Sequence, residues 1–125
     1  MSNPDSRTAV ETALKHLLEQ VPALKPLKLI AAAEVHGGRD TQLVRIEMPG
    51  PKVTKELAPD ARVTLDIRRD VLNDLVDADI QSWVRAWNTG RFKATGVDQY
   101  LKLIGQVVGK TAERARQHQG AKYKH

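Results

Sequence analysis

Three observations predict a single domain of mixed α/β (α+β) class. Apolar residues recur at helical period in segments near both ends of the chain, and again just before Gly90. Elsewhere they alternate with mostly polar ones, as in half-buried strands. A length of 125 residues suits one domain that buries roughly two thirds of its unfolded surface.

Taken in order, Thr8 followed by Glu11 matches a capping box. Val10, Ala13, Leu14, Leu17, Leu18 and Val21 then share a helix face until Pro22 and Pro26. The first helix is expected over about residues 8–21. From Leu27 to His36 the odd positions Leu27, Leu29, Ala31, Ala33 and Val35 are apolar. Gly37-Gly38-Arg39-Asp40 supplies a turn, and Val44, Ile46 and Met48 share one face of a second strand over residues 41–48. Pro49 and Pro51 then exclude a central ladder position, so residues 52–57 are expected as an edge strand. Ala61, Val63, Leu65 and Ile67 alternate with Arg62, Thr64, Asp66 and Arg68 in the clearest strand of the chain. Asp70 is expected to cap a short helix carrying Val71, Leu72 and Leu75, and Asp77 or Asp79 the next.

The stretch from Asp79 to Val108 carries the most information. Ile80, Trp83, Val84 and Trp87 fall at i, i+3, i+4 and i+7, and Gly90 stands where such a helix stops. Phe92 and Ala94 alternate with Arg91, Lys93 and Thr95 in a short strand closed by Gly96. Leu101, Ile104 and Val108 then form a helical stripe flanked by Tyr100, Leu103 and Val107.

At these residues the chain resembles the sterol carrier protein type 2 family. Gly90-Arg-Phe-Lys-Ala-Thr-Gly96 stands where that family has Gly-Lys-Leu-Lys-Ile-x-Gly between two amphipathic helices, and the element order agrees over residues 8–109. One departure is Val76-Asp77-Ala78, where the family has a glycine after its short helix. The resemblance implies a mainly antiparallel sheet of about five strands covered on one face by helices. It also implies an apolar tunnel for a fatty acyl, sterol-like or isoprenoid molecule, held or transferred without catalysis. Its implied lining is Trp83, Val84, Trp87, Phe92, Tyr100, Leu101, Ile104 and Val108, which core packing alone also accommodates.

Composition narrows the alternatives. The absence of cysteine excludes disulfides, thiolate nucleophiles and zinc–thiolate sites. Neither a signal-type leader nor about 18 consecutive apolar residues is present, so a cytoplasmic protein is expected. Residues 1–7 and about 117–125 are expected to be flexible. The net charge of +5 is concentrated in residues 110–125, where Lys110, Arg114, Arg116, Lys122 and Lys124 oppose Glu113. Three readings of this +4 tail remain: a tether to an anionic membrane, a solvated end, and the footprint of a basic nucleic-acid-binding module. The body is nearly neutral and lacks an aromatic-basic strand for stacking bases. An accessory partner of a lipid-modifying enzyme is a further alternative.

Chemistry-bearing motifs are absent. Gly105-Gln-Val-Val-Gly109-Lys110-Thr111 has three residues between its glycines where a phosphate loop needs four, so the glycines are expected to allow close packing or to end a helix. His16, His36, His118 and His125 include no pair at i, i+3 or i, i+4, and no metal site is expected. Ser82 lacks a nucleophile elbow, while Asp74, Asp77 and Asp79 sit at helix starts, where capping accounts for them. No catalytic residue and no cofactor is expected.

Overall fold

A computed structural model describes residues 5–48 and 50–123, with side-chain surroundings through residue 117. Helix α1 (Ser6–Gln20) and a 3-10 turn (Pro22–Leu24) lead into strands β1 (Leu29–Gly37), β2 (Asp40–Met48), β3 (Lys52–Thr54) and β4 (Val63–Arg68). Helices α2 (Arg69–Leu75) and α3 (Ile80–Asn88), strand β5 (Phe92–Gly96) and helix α4 (Asp98–Tyr123) complete the order. The five strands form one sheet, β3-β2-β1-β4-β5, antiparallel throughout except for the parallel pair β1 and β4.

The register explains why the core lies on one side. Leu29 faces Met48; Ala31 faces Ile46 and Val63; Ala33 faces Val44 and Leu65; Ile67 faces Val35 and Phe92. Alternation therefore delivers one apolar face, on which Ala33, Val35, Val44, Ile46, Ile67 and Phe92 are buried. The other face carries Glu34, Arg45, Glu47, Asp66, Arg68 and Lys93. The helices cover the apolar face through the buried Ala9, Val10, Ala13 and Leu18 of α1, Val71, Leu72 and Leu75 of α2, Ile80, Trp83 and Ala86 of α3, and Ala112 of α4. Among the described residues no helix is long and apolar enough to cross a membrane.

With β3 at the edge beside β2, the chain passes to the far side of β1, where β4 lies parallel to it. The connection is tied down on the polar face, where the Arg45 guanidinium donates to both Asp60 carboxylate oxygens at 2.5 and 3.0 Å. That hydrogen bond pulls the Asp60 carboxyl below its usual range.

Three local expectations are corrected. Asp5, not Thr8, caps α1, its carboxylate accepting from the Thr8 backbone N–H at 2.8 Å; Glu11 instead pairs with Arg7 and Lys15. Asp70 lies inside the first turn of α2, whose cap position is Arg68. Gly109, one of the glycines expected to allow packing or to end a helix, does not end the last one, which runs on to Tyr123. The flexibility expected for residues 1–7 and about 117–125 falls largely outside the described residues. Of the former, Asp5 is the cap and Ser6 is buried, its hydroxyl accepting from Arg69.

Gly96 fixes the joint between β5 and α4. Its φ is +138°, and a Cβ there would stand 2.2 Å from the Arg62 carbonyl oxygen and 2.9 Å from the Val63 Cα. The chain passes so close because Val97 N–H donates to that same carbonyl at 2.9 Å. Gly96→Ala should lower stability by more than about 2 kcal/mol, whereas Gly38→Ala, strained in φ but facing open space, should cost less. Denaturant midpoints of the two variants check the order.

Thr8 N–H and the Thr8 hydroxyl, with Lys55 beyond them, lower the Asp5 pKa from 3.8 to about 2. A depressed carboxyl stabilises the fold above its unfolded pKa, and this contribution is lost as pH falls through the folded value. Melting temperature should therefore drop between about pH 4 and pH 2. Asp5→Asn keeps a cap but removes the titration, so its melting temperature should fall less over that window.

Candidate functional site

The helices do not fill the space above the apolar face of the sheet. A cavity of about 450 Å³ lies between α1, the 3-10 turn and the segment after it, the sheet, α3 and α4. Its floor is Leu29, Ala31, Ile46, Met48, Val63, Leu65 and Ala94, in which the alanines take up little height. Its walls are Leu14 and Leu17 of α1, Leu24 and Leu27, and the inward residues of α3 and α4.

Helix α3 is set by both of its ends. The Asp79 carboxylate accepts from the Ser82 backbone N–H and hydroxyl, each at 2.9 Å, which holds its pKa below the usual range. At the other end Gly90, at φ +73°, lets Arg91 N–H return to the Ala86 carbonyl at 2.9 Å, and Arg91 reaches Asp74 at 3.0 Å. Trp83 is consequently buried, while Trp87 one turn on is 46% exposed beside the opening. Phe92 stands edge-on to both rings, with centroids 6.0 Å from Trp83 and 5.5 Å from Trp87. Gln81 joins α3 to α4 by donating to the Ala112 carbonyl.

Of the residues expected from sequence, Trp83, Val84, Trp87, Phe92, Leu101, Ile104 and Val108 come together on the cavity, and Tyr100 lies outside its lining. The contribution of Leu14, Leu17, Leu24 and Leu27 was missed. The helical spacing of Leu14 and Leu17 and the strand alternation that includes Leu27 give a facing but do not say which other element each meets. Gly105 and Gly109, expected to permit close packing or to end a helix, do neither. They lie within α4, line the cavity, and nothing stands within 4 Å of a Cβ added at either.

The lining has no charged residue; its polar side chains are those of Asn88, Trp83 and Trp87. Trp83 is 6% exposed, and its Nε1–H is buried without a hydrogen-bond partner. An unsatisfied buried donor costs about 1–3 kcal/mol. The site is suited to enclosing apolar matter and presents no paired acid and base or activated nucleophile.

On the opposite, polar face the sheet gathers groups that helical spacing could not reveal. Glu34 and His36 are two apart on β1, and Asp66 faces Glu34 from β4. Ligating atoms of the three lie within 4.8 Å of one another. His36 Nε2 is 2.9 Å from Asp66 Oδ1 and its Nδ1 is 2.9 Å from Thr41 Oγ1. Strands bring these residues together at i, i+2 and across the ladder, spacings on which the absence of histidine pairs at helical period does not bear. Lys93 faces Asp66 from β5, so the cluster belongs to a charged ladder remote from the cavity.

No protein-family model and no curated protein matches the sequence. Solved structures do match. Palmitated sterol carrier protein 2-like 2 from Aedes aegypti aligns with a TM-score of 0.55 at 13% identity, over 79% of this chain and 93% of that one. A crystal structure of the Aedes aegypti protein gives 0.53 at 16% identity, over 82% and 99%. A conserved hypothetical protein of Thermus thermophilus, described as possibly a sterol carrier protein, gives 0.51 at 13% identity, over 92% and 89%. A single mixed sheet with helices on one face thus agrees with the architecture that the Gly90–Gly96 segment implied: the chain has the sterol carrier protein type 2 fold.

Proposed function

We propose that the protein binds, and carries between surfaces, a lipid of fatty acyl, sterol-like or isoprenoid type in the cavity under α3 and α4, without catalysing a reaction on it. The observation that carries this is the cavity itself. About 450 Å³ with a wall of leucine, valine, methionine and aromatic side chains lies within the roughly 300–1,000 Å³ of small-molecule sites. Each buried CH₂ contributes about 0.8 kcal/mol, so a chain of roughly sixteen carbons contributes about 13 kcal/mol and reaches micromolar affinity after an association cost of about 4–5 kcal/mol. The palmitated state of the Aedes aegypti protein of the same fold supports an acyl chain as one such occupant. A cytoplasmic location accords with this role.

Mass spectrometry of lipids extracted from the purified protein, followed by titration of the lipid found against tryptophan emission, tests the proposal. A flat emission signal without displacement of a fluorescent lipid would sink it. Gly105→Phe adds a ring at a position that lines the cavity and where an added Cβ meets nothing within 4 Å, so it should weaken lipid binding by about tenfold or more while leaving the melting temperature unchanged or raised. Lys102→Glu, on an exposed position of the same helix, should change lipid affinity by less than about 0.5 kcal/mol.

The basic end of α4 supports delivery to anionic membranes. Lys110, Arg114 and Arg116 are exposed on a helix, not on a mobile tail, and Ala112 between them is buried. Truncation after Thr111 would therefore damage the core, and charge reversal is the cleaner test. Each cation near an anionic surface contributes about 1 kcal/mol. Reversing all three to Glu should abolish low-salt binding to anionic vesicles, leave neutral vesicles unaffected and spare lipid affinity in solution. Equal vesicle binding would make this end a solvated one; tight duplex DNA binding lost on reversal would favour the nucleic-acid module.

A further inference from the structure

Exposure is unevenly spread over the cavity wall. Among the described residues of its lining, Trp87 and Asn88 in the last turn of α3 and Gly105 and Gly109 of α4 are exposed, and the rest are buried or half-buried. Gln81 holds the other end of α3 to α4 by donating to the Ala112 carbonyl, about two turns away from Trp87 and Asn88. The two glycines carry no side chain, and nothing stands within 4 Å of a Cβ added at either. The wall is thus tied at one end of α3 and bare at the other.

Polarity follows the same division. Trp87 and Asn88 bring their polar groups to the exposed side, whereas the interior is lined by apolar side chains and the buried Trp83, with no charged residue. A polar head drawn inside would lose its hydration without gaining a counter-charge, while an apolar chain gains by leaving water. Arg85 and Lys102 stand three residues before Asn88 and Gly105 at exposed positions, where water and salt screen them from a head outside.

We infer that the ligand is a lipid with polar groups at one end only, bound tail-first, its head left in water between the last turn of α3 and the Gly105 and Gly109 turns of α4. The protein then selects the skeleton and not the head. The inference rests on the lipid-binding reading and narrows it: a chain polar at both ends is refused, and a bulky head is admitted because the glycines leave the opening clear.

Ligands that change one end at a time test this. Palmitic acid, palmitoyl-coenzyme A and palmitoyl lysophosphatidylcholine share a tail and differ in the head, whereas hexadecanedioic acid is palmitic acid with a second carboxylate in place of the tail methyl. Each, below its micellar concentration and at neutral pH, competes with the hydrocarbon dye diphenylhexatriene for the wild-type protein. The three palmitoyl ligands should bind within about tenfold of one another, and the dicarboxylate more than about tenfold more weakly than palmitic acid. Shortening each tail by four carbons should weaken binding by about a hundredfold. In heteronuclear NMR, exchanging palmitic acid for palmitoyl-coenzyme A should move the amide resonances of Asn88, Gly105 and Gly109 and leave those of Leu17 and Leu24 in place.

Discrimination among the heads by more than about tenfold overturns the inference while leaving lipid binding in place. So does a dicarboxylate that binds as palmitic acid does, or an affinity that tail length does not move. Resonance shifts that fall on Leu17 and Leu24 instead would place the head inside and overturn it as well. Failure of the dye and of every palmitoyl ligand to bind removes the lipid-binding reading, and this inference with it.

Discussion

Register across the five strands is the constraint from which the rest follows. A slip of one residue would reverse whichever strand moved: in β1 it would turn Ala33 and Val35 toward water and bring Glu34 and His36 under the helices, and in β4 it would exchange Ile67 for Asp66. The alternation forbids that slip, because each strand has only one side that can be buried. With the facing settled, the helices have one available surface, and the charged groups of the other face can pair across the ladder and with Asp60.

Facing was legible in the sequence; adjacency was not. Period-two alternation identified the strands, and the spacing of Ile80, Trp83, Val84 and Trp87 identified α3 and its inward stripe. The parallel pairing of β1 with β4 is not contained in either strand, because the pattern of a half-buried strand is the same whatever its neighbour's direction. The lining shows the same limit. Residues on the expected stripes of α3 and α4 reached the cavity, whereas the role of Leu14 and Leu17 depended on where α1 docks. Tyr100 falls beside the inward stripe of α4, and a rotation of one residue separates wall from flank. Caps were ambiguous where acids and hydroxyls crowd, and Asp5 prevailed over Thr8 because its carboxylate reaches the third N–H of the helix.

Electrostatics divides the molecule along the same plane as packing. The carboxyls held low, those of Asp5, Asp60 and Asp79, are a helix cap, a partner of Arg45 and a second helix cap, and none lines the cavity. Their shifts have structural causes, so they mark the joints of the fold and not a reaction centre.

Helix α4 holds the feature that packing alone explains least well. Glycine within a helix is roughly 0.8–1.0 kcal/mol less favourable than alanine, and α4 carries Gly105 and Gly109 on consecutive turns. Close approach of another element would justify them, yet an added methyl at either position meets nothing. Larger residues there would improve helix propensity and add bulk at the lining of the cavity together. A chain under selection for stability alone has an easy route to both gains. That it has taken neither fits a helix that leaves room for something beneath it, and it places the functional demand on the same face of α4 that carries Leu101, Ile104 and Val108.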